Sequence, residues 1–214
     1  MMKMRKFMLR HTTRMLGVFA LLLSAGLFAS CSESDNTVEE YAGWKAKNEN
    51  YWDNLYRTTQ QKIAEGDRTW QIILNYSYQN QTGSSESPLS YGKDKYIIVH
   101  TLATSNSMES PLYTDSVQVH YQGRLIPSET YTAGLVFDSS WGGGVFDAET
   151  SKAAGMRVSK LVDGFSTALQ AMHLGDHWVV YIPYQLGYGA EAKNDIPAYS
   201  SLIFDVQLSK IIRR

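Results

Sequence analysis

From Trp70 the chain alternates with a period of two. Trp70, Ile72, Leu74, Tyr76 and Tyr78 fall on one side, Gln71, Ile73, Asn75, Ser77 and Gln79 on the other. Successive side chains of an extended chain point to opposite faces, so this spacing predicts a strand over residues 70–79. Before it, the period is different. Tyr41, Lys45, Asn48, Trp52, Leu55, Tyr56, Thr59 and Ile63 recur at three- and four-residue steps, which predicts a helix over residues 38–65. Thr37 and Glu40 have the spacing of a capping box, and Gly66 is placed to stop the helix. Further runs rich in Val, Ile and Tyr predict strands at 95–103, 115–125, 178–182 and 202–212. Residues 164–174 read as one short helix, with Asp163 as N-cap and Gly175 as stop. No internal repeat is visible. Many strands around one short internal helix describe an α+β domain with an antiparallel sheet wrapped over that helix, preceded by an N-terminal helix.

The first thirty residues do not belong to this pattern. Lys3, Arg5, Lys6, Arg10 and Arg14 precede an apolar run at 15–29, and Ser30 and Cys31 follow. A basic start, a short apolar stretch and small residues at its end describe a secretory signal peptide over residues 1–30. The run is shorter than the ~20 apolar residues that span a bilayer. Cys31 is the single cysteine. The stretch Leu27-Phe28-Ala29-Ser30-Cys31 resembles a bacterial lipobox, which implies a lipid anchor on Cys31 and a place in the cell envelope, at the outer membrane. The domains expected are therefore the signal peptide, a lipidated tether and helix over 31–68, and a folded domain over 69–214. Without the five basic residues of the leader, 15 Lys and Arg face 21 Asp and Glu, a charge near −6. No basic cluster remains to neutralise a row of phosphates, which excludes nucleic acid as a partner.

Three segments carry the candidate chemistry. The first is Val117-Gln118-Val119-His120-Tyr121-Gln122-Gly123-Arg124-Leu125, closed by Val136-Phe137-Asp138-Ser139-Ser140. The second is Leu161-Val162-Asp163-Gly164-Phe165. The third is Tyr181-Ile182-Pro183-Tyr184-Gln185-Leu186-Gly187-Tyr188-Gly189, with Ile196-Pro197 and Leu202-Ile203-Phe204-Asp205-Val206 beyond it. In this order the segments resemble the FKBP-type peptidyl-prolyl cis-trans isomerases over about residues 95–214.

The resemblance implies an FKBP-like fold and rotation of X-Pro bonds. It places Tyr121, Phe137, Asp138 and Tyr188 at the catalytic positions. Met156, Leu161, Val162, Phe165, Ile196 and Phe204 would bind substrate, with Phe165 as the floor. It implies proline-containing polypeptides as partners and a macrolide as a possible ligand, and it requires neither cofactor nor metal. Uncatalysed isomerisation takes roughly 10–100 s. The planar amide is stabilised by charge separation, which a twisted amide loses. An apolar aromatic pocket therefore favours the twisted form, which is differential binding of the transition state. Tyr188 can donate to the carbonyl before proline, and Asp138 can hold a neighbouring group.

The chain also departs from the family. Phe165 stands where tryptophan is common. The stretches 122–136 and 141–155 are longer than usual, and the second contains Trp141-Gly142-Gly143-Gly144. Trp141 has two readings there, a cap on the pocket or packing on the sheet. These departures favour, as alternatives to catalysis, a proline-peptide-binding or chaperone module. A structural subunit of an outer-membrane complex, docking through the helix at 38–65, is a further alternative. His173 and His177 are four apart, but Gly175 between them should end the helix and separate their faces. All the pocket motifs lie beyond Ser116, so the N-terminal helix is expected to be dispensable for catalysis.

Overall fold

The computed structural model describes residues 39–81, 89–142, 146–147 and 150–213. The expected signal peptide, Cys31 and Thr37 lie outside them. Among these residues, seven strands form one antiparallel sheet: β1 (Trp70–Leu74), β2 (Tyr96–Ala103), β3 (Ser116–Leu125), β4 (Val136–Ser139), β5 (Ala154–Arg157), β6 (His177–Ile182) and β7 (Leu202–Ile212). The spatial order is β1-β2-β6-β7-β3-β4, and β5 pairs with the first half of β3 on the edge that β4 shares. Helix α1 is Trp44–Ala64 and helix α2 is Asp163–Ala171.

Alternation decides which face each side chain takes. Val119, Tyr121 and Leu125 of β3 oppose Leu208, Val206 and Leu202 of β7, and all six are buried. Trp178, Val180 and Ile182 of β6 join this inner face. It packs on α2, whose Phe165, Ala168 and Leu169 are buried in the same core. Helix and sheet approach closely at Gly164, where an added Cβ would lie 2.3 Å from Ile182 Cγ2. Asp163 is the first helical residue and makes no side-chain cap. The helix stops at Ala171, three residues short of the expected end, and Met172 is already extended.

The outer face of the same sheet is covered by α1. Tyr56 meets Tyr96 of β2 with ring centroids 6.2 Å apart, and Lys62 Nζ sits 3.9 Å above the Trp70 ring of β1. Burial pushes the Tyr51 phenol up to about 12, with Tyr181 of β6 beside it. The buried residues of α1 are Trp44, Asn48, Trp52 and Thr59. The expected stripe had Lys45 where Trp44 is the residue turned inward; Lys45 is exposed and pairs with Glu49. The capping box does not form around Glu40, because the helix begins only at Trp44, after Gly43 in the left-handed region. The far end follows expectation: Gly66 N–H bonds to Ile63 O and Asp67 N–H to Lys62 O, a Schellman ending with Gly66 at φ +92°.

One strand boundary differs from the sequence reading, and two short strands were not read. β1 ends at Leu74, not beyond Tyr78. The Asn75 carboxamide oxygen accepts from the Ser77 N–H at 2.9 Å and its hydroxyl at 2.7 Å, a local turn that outcompetes the ladder. The short strands β4 and β5 carry too little alternation to be read beforehand.

Candidate active site

The site is assembled where β3, β4, β7 and the start of α2 converge. Tyr121, Phe165 and Phe204 meet with centroids 6.4, 6.3 and 4.5 Å apart, and Phe137 stands edge-on to Phe204 at 5.6 Å. Phe165 and Phe204 are nearly parallel, at 22°, and Phe165 is only 3% exposed. The ring expected as the floor is thus faced by Phe204. Phe137 is half-buried and presents the larger free surface.

Gly123 makes this crowding possible. A Cβ there would lie 2.5 Å from Phe137 Cε2 and 2.8 Å from Phe204 Cε1. The glycine of the Tyr121-Gln122-Gly123 motif is therefore a requirement of the aromatic cluster, which only the missing side chain satisfies. The two serines after Asp138 have separate tasks. Ser140 Oγ accepts from the Tyr121 N–H at 2.9 Å, while the Ser140 N–H donates to Tyr121 O at 2.8 Å. The Ser139 hydroxyl donates to Trp141 O at 2.6 Å and turns the chain away from the strand. Neither Gly123 nor Ser140 was singled out as a site residue from the sequence; their positions inside the two motifs were the available signal.

Tyr121 donates its phenol to Asp138 Oδ2 at 2.6 Å. Burial, then this bond and the carboxylate charge, push the Tyr121 phenol well above its ordinary value. Asp138 itself is exposed, so the carboxylate sits at the rim with a buried phenol beneath it. Tyr188 is 37% exposed, and burial and the charge of Asp138 raise its phenol too. A buried polar group needs a partner, and Asp138 is not the buried member of this pair. The buried partner in need of satisfaction is Tyr121.

The remaining expected residues line the approach. Leu161 and Val162 are half-buried just before α2, and Val162 O accepts from the N–H groups of Phe165 and Ser166. Met156, half-buried on β5, pairs with Val117. Ile196 is buried in the segment 188–201, where Lys193 and Ile196 form an isolated bridge. Trp141 takes the second of its two readings. It packs on Phe146 at 4.8 Å, which in turn lies near His120 at 5.3 Å and His177 at 5.9 Å on the outer face. Gly143 and Gly144 lie outside the described residues. His173 Nδ1 is 3.6 Å from Asp176 and His177 Nε2 is 2.5 Å from Asp205, so the two rings turn to different carboxylates.

The family described as FKBP-type peptidyl-prolyl cis-trans isomerase matches residues 108–209. FK506-binding protein 1 of Aspergillus oryzae is 32% identical over 115 residues, which are 51% of this chain and 94% of that protein. This chain belongs to the FKBP family. The macrophage infectivity potentiator of Trypanosoma cruzi is 36% identical over 116 residues, 54% of this chain and 53% of that protein. A protein of Legionella longbeachae named outer membrane protein MIP is 34% identical over 102 residues, 47% of this chain and 38% of that one. The chain thus spans about half the length, or less, of these two longer relatives. The matched FKBP region contains the whole aromatic cluster, whereas α1 and β1 lie before it.

Proposed function

We propose that this FKBP domain accelerates cis-trans isomerisation of X-Pro bonds in exported polypeptides. The observation that carries the reading is the Tyr121–Asp138 hydrogen bond at the rim of the Phe137, Phe165 and Phe204 cluster. The cluster supplies an apolar wall against which a proline ring can rest. Tyr121 is tied to Asp138, which leaves the exposed Tyr188 hydroxyl to donate to the carbonyl before proline. The twisted amide carries less charge separation than the planar one, so an apolar wall stabilises it preferentially. No proton is transferred and no bond is broken. The full-length protein should raise the isomerisation rate of short X-Pro peptides, and macrolides that compete for Phe137 should inhibit it weakly. A folded protein without rate enhancement on any such peptide overturns the catalytic reading.

A binding module with little turnover is the second reading, favoured by Phe165 at the floor and by the lengthened stretches 122–136 and 141–155. The face of Phe165 that stacks on Phe204 is open to a proline ring only after Phe204 moves. Phe165→Trp tests this directly: a larger floor should raise macrolide affinity if the pair opens on binding, and lower it if the stack stays closed. In either reading the cell envelope is the proposed location. Cys31 at the end of the apolar leader would carry the lipid, and the Legionella relative's name is consistent with an outer-membrane site. Among the described residues no helix is long and apolar enough to cross a membrane. Cells fed labelled palmitate should label the wild-type protein and not Cys31→Ser; label persisting in the variant removes the anchor.

A further inference from the structure

Beside the aromatic cluster, three segments border an open groove of about 420 Å³ whose lining includes Tyr41, Tyr131, Leu135, Asp195, Ile196 and Pro197. Its walls come from the turn before α1, the long connection between β3 and β4, and the segment 188–201. None of these belongs to a regular element, yet each is tied down. The Glu40 carboxylate accepts from the Thr130 N–H at 3.1 Å and from the Thr130 hydroxyl. The connection closes on itself through Ser128 N–H and Gly134 N–H, both bonded to Tyr131 O. Gly134 lies at φ +86°, and a Cβ there would fall 2.0 Å from Leu125 O. On the other side, the Trp44 indole N–H donates to Ser200 Oγ at 2.8 Å, and the Ser200 hydroxyl donates to Pro197 O at 2.7 Å. Tyr41 stands edge-on against the same Trp44 at 4.9 Å.

We propose that this groove is an extended subsite for a lysine or arginine side chain of the same polypeptide whose proline enters the aromatic cluster. The inference rests on the isomerase reading and adds to it a preference for basic sequence near the proline. Continuity is the first argument. Ile196 lines the groove and is also an expected wall of the pocket, and Leu135 lies two residues before Phe137. An extended chain advances ~3.3 Å per residue, so a side chain within a few positions of the proline reaches the groove. Chemistry is the second. Two tyrosines, one of them 42% exposed, offer ring faces to a cation. Leu135, Ile196 and Pro197 suit the aliphatic stem of a long basic side chain. Asp195 lines the groove with Tyr41, and Glu40, the residue before Tyr41, is tied to Thr130 beside it; burial, then the charges of these acids, raise the Tyr41 phenol. The nearby charged residues on the segment 188–201 are Glu191, Lys193 and Asp195, with Lys193 exposed and absent from the lining.

The test uses the full-length protein and one X-Pro peptide length, with Lys, Ala or Glu placed in turn at each of three positions on either side of the bond. Turnover and peptide binding, by anisotropy of a labelled peptide, are read in parallel. Lys at one or more positions should raise kcat/KM at least threefold over Ala, and Glu should lower it. The double variant Tyr131→Ala, Asp195→Asn should bring Lys down to the Ala level. Equal kcat/KM for Lys, Ala and Glu with good turnover overturns the groove and leaves the isomerase reading standing. A Lys preference that survives in the double variant also overturns it. Lys-selective binding lost in the double variant, without turnover in either protein, keeps the groove and removes the isomerase. Neither binding nor turnover removes both.

Discussion

The floor of the pocket and its rim are built in different ways. The floor is made by side chains on β3, β4, β7 and α2, whose positions follow from strand alternation and one helix face. The rim at residues 126–135 and 188–201 has almost no ladder. It is held by hydrogen bonds between residues far apart in sequence, such as Trp44 with Ser200 and Asn48 with Ser201 at 2.7 Å. The floor therefore depends on packing, and the rim depends on α1, an element outside the matched family region. A sheet of the same geometry could keep its floor and lose its rim.

The largest effect expected from breaking this arrangement is removal of α1. A chain starting at Asp67 loses the buried Trp44 and Trp52, each worth about 3–5 kcal/mol as a core aromatic. Its melting temperature should fall by more than ~10 °C, read by circular dichroism. The expectation that α1 is dispensable for catalysis meets its strongest objection here, because the contacts it would lose include those that hold Ser200 and Ser201. A truncated chain that melts within a few degrees of the parent and keeps its kcat/KM would separate rim from helix.

Next in size is Phe137→Ala, which attacks the floor alone. It removes the most accessible aromatic wall, and kcat/KM should fall at least tenfold, or ~1.4 kcal/mol of transition-state stabilisation. A thermal melt run alongside separates lost catalysis from lost fold. Variants in the floor should depress all peptides alike, whereas Trp44→Phe, which keeps an aromatic ring but loses the indole N–H and some buried area, should change the ranking among peptides more than the average rate.

The interface of α1 with the outer face has a pH signature. The Tyr51 phenol is pushed up to about 12 from an ordinary value of 10. The folded state thus favours the neutral phenol. Its contribution is complete below pH 10 and is lost as pH rises from about 10 to 12. The loss amounts to about 2 kcal/mol, somewhat less than two full pKa units imply because the ring is only partly enclosed. Urea titrations between pH 9 and 12 should show this slope, and Tyr51→Phe should make it shallower, leaving the part that Tyr76 and Tyr121 contribute. An unchanged slope in the variant would assign the alkaline loss to another tyrosine.

The smallest expected effect is Ser140→Ala. The hydroxyl oxygen of Ser140 accepts one backbone N–H of Tyr121, so the loss is about 1 kcal/mol. Because Tyr121 carries the bond to Asp138, the Tyr121 ring should become more mobile by NMR even where the melting temperature barely moves. A ring signal identical to the parent's would show that Ser140 holds the backbone only.

This contrast also explains what could be read from the chain beforehand. The long strands and both helices were visible because their burial follows a fixed period, and the aromatic cluster was visible because its members sit inside the three segments that carry the family resemblance. The end of β1 was not, because Asn75 replaces the ladder by a local turn that no alternation reveals. Trp44 was missed for Lys45 because one position separates neighbouring faces of a helix. The rim was illegible for a different reason. The partners of Glu40 and Trp44 lie 90 and 156 residues away, and nothing in local periodicity marks either pair.

The pairing of β3 has a consequence for how this fold can change over time. One edge of β3 is shared by two short strands, β5 against Val119 and the residues before it, β4 against Gln122 and the residues after it. The chain between β4 and β5 thus leaves and rejoins the sheet at neighbouring places on a single strand, about 10 Å apart at ~3.3 Å per residue. Lengthening such a connection changes no register in the sheet, and doubling its length costs only about 0.6 kcal/mol of closure entropy. The part of this connection beyond Ser140 and Trp141, which are held against Tyr121 and Phe146, is accordingly a natural port for insertion. New sequence, up to a whole recognition module, can be accepted there beside the pocket while the seven-strand pairing that builds the floor stays as it is.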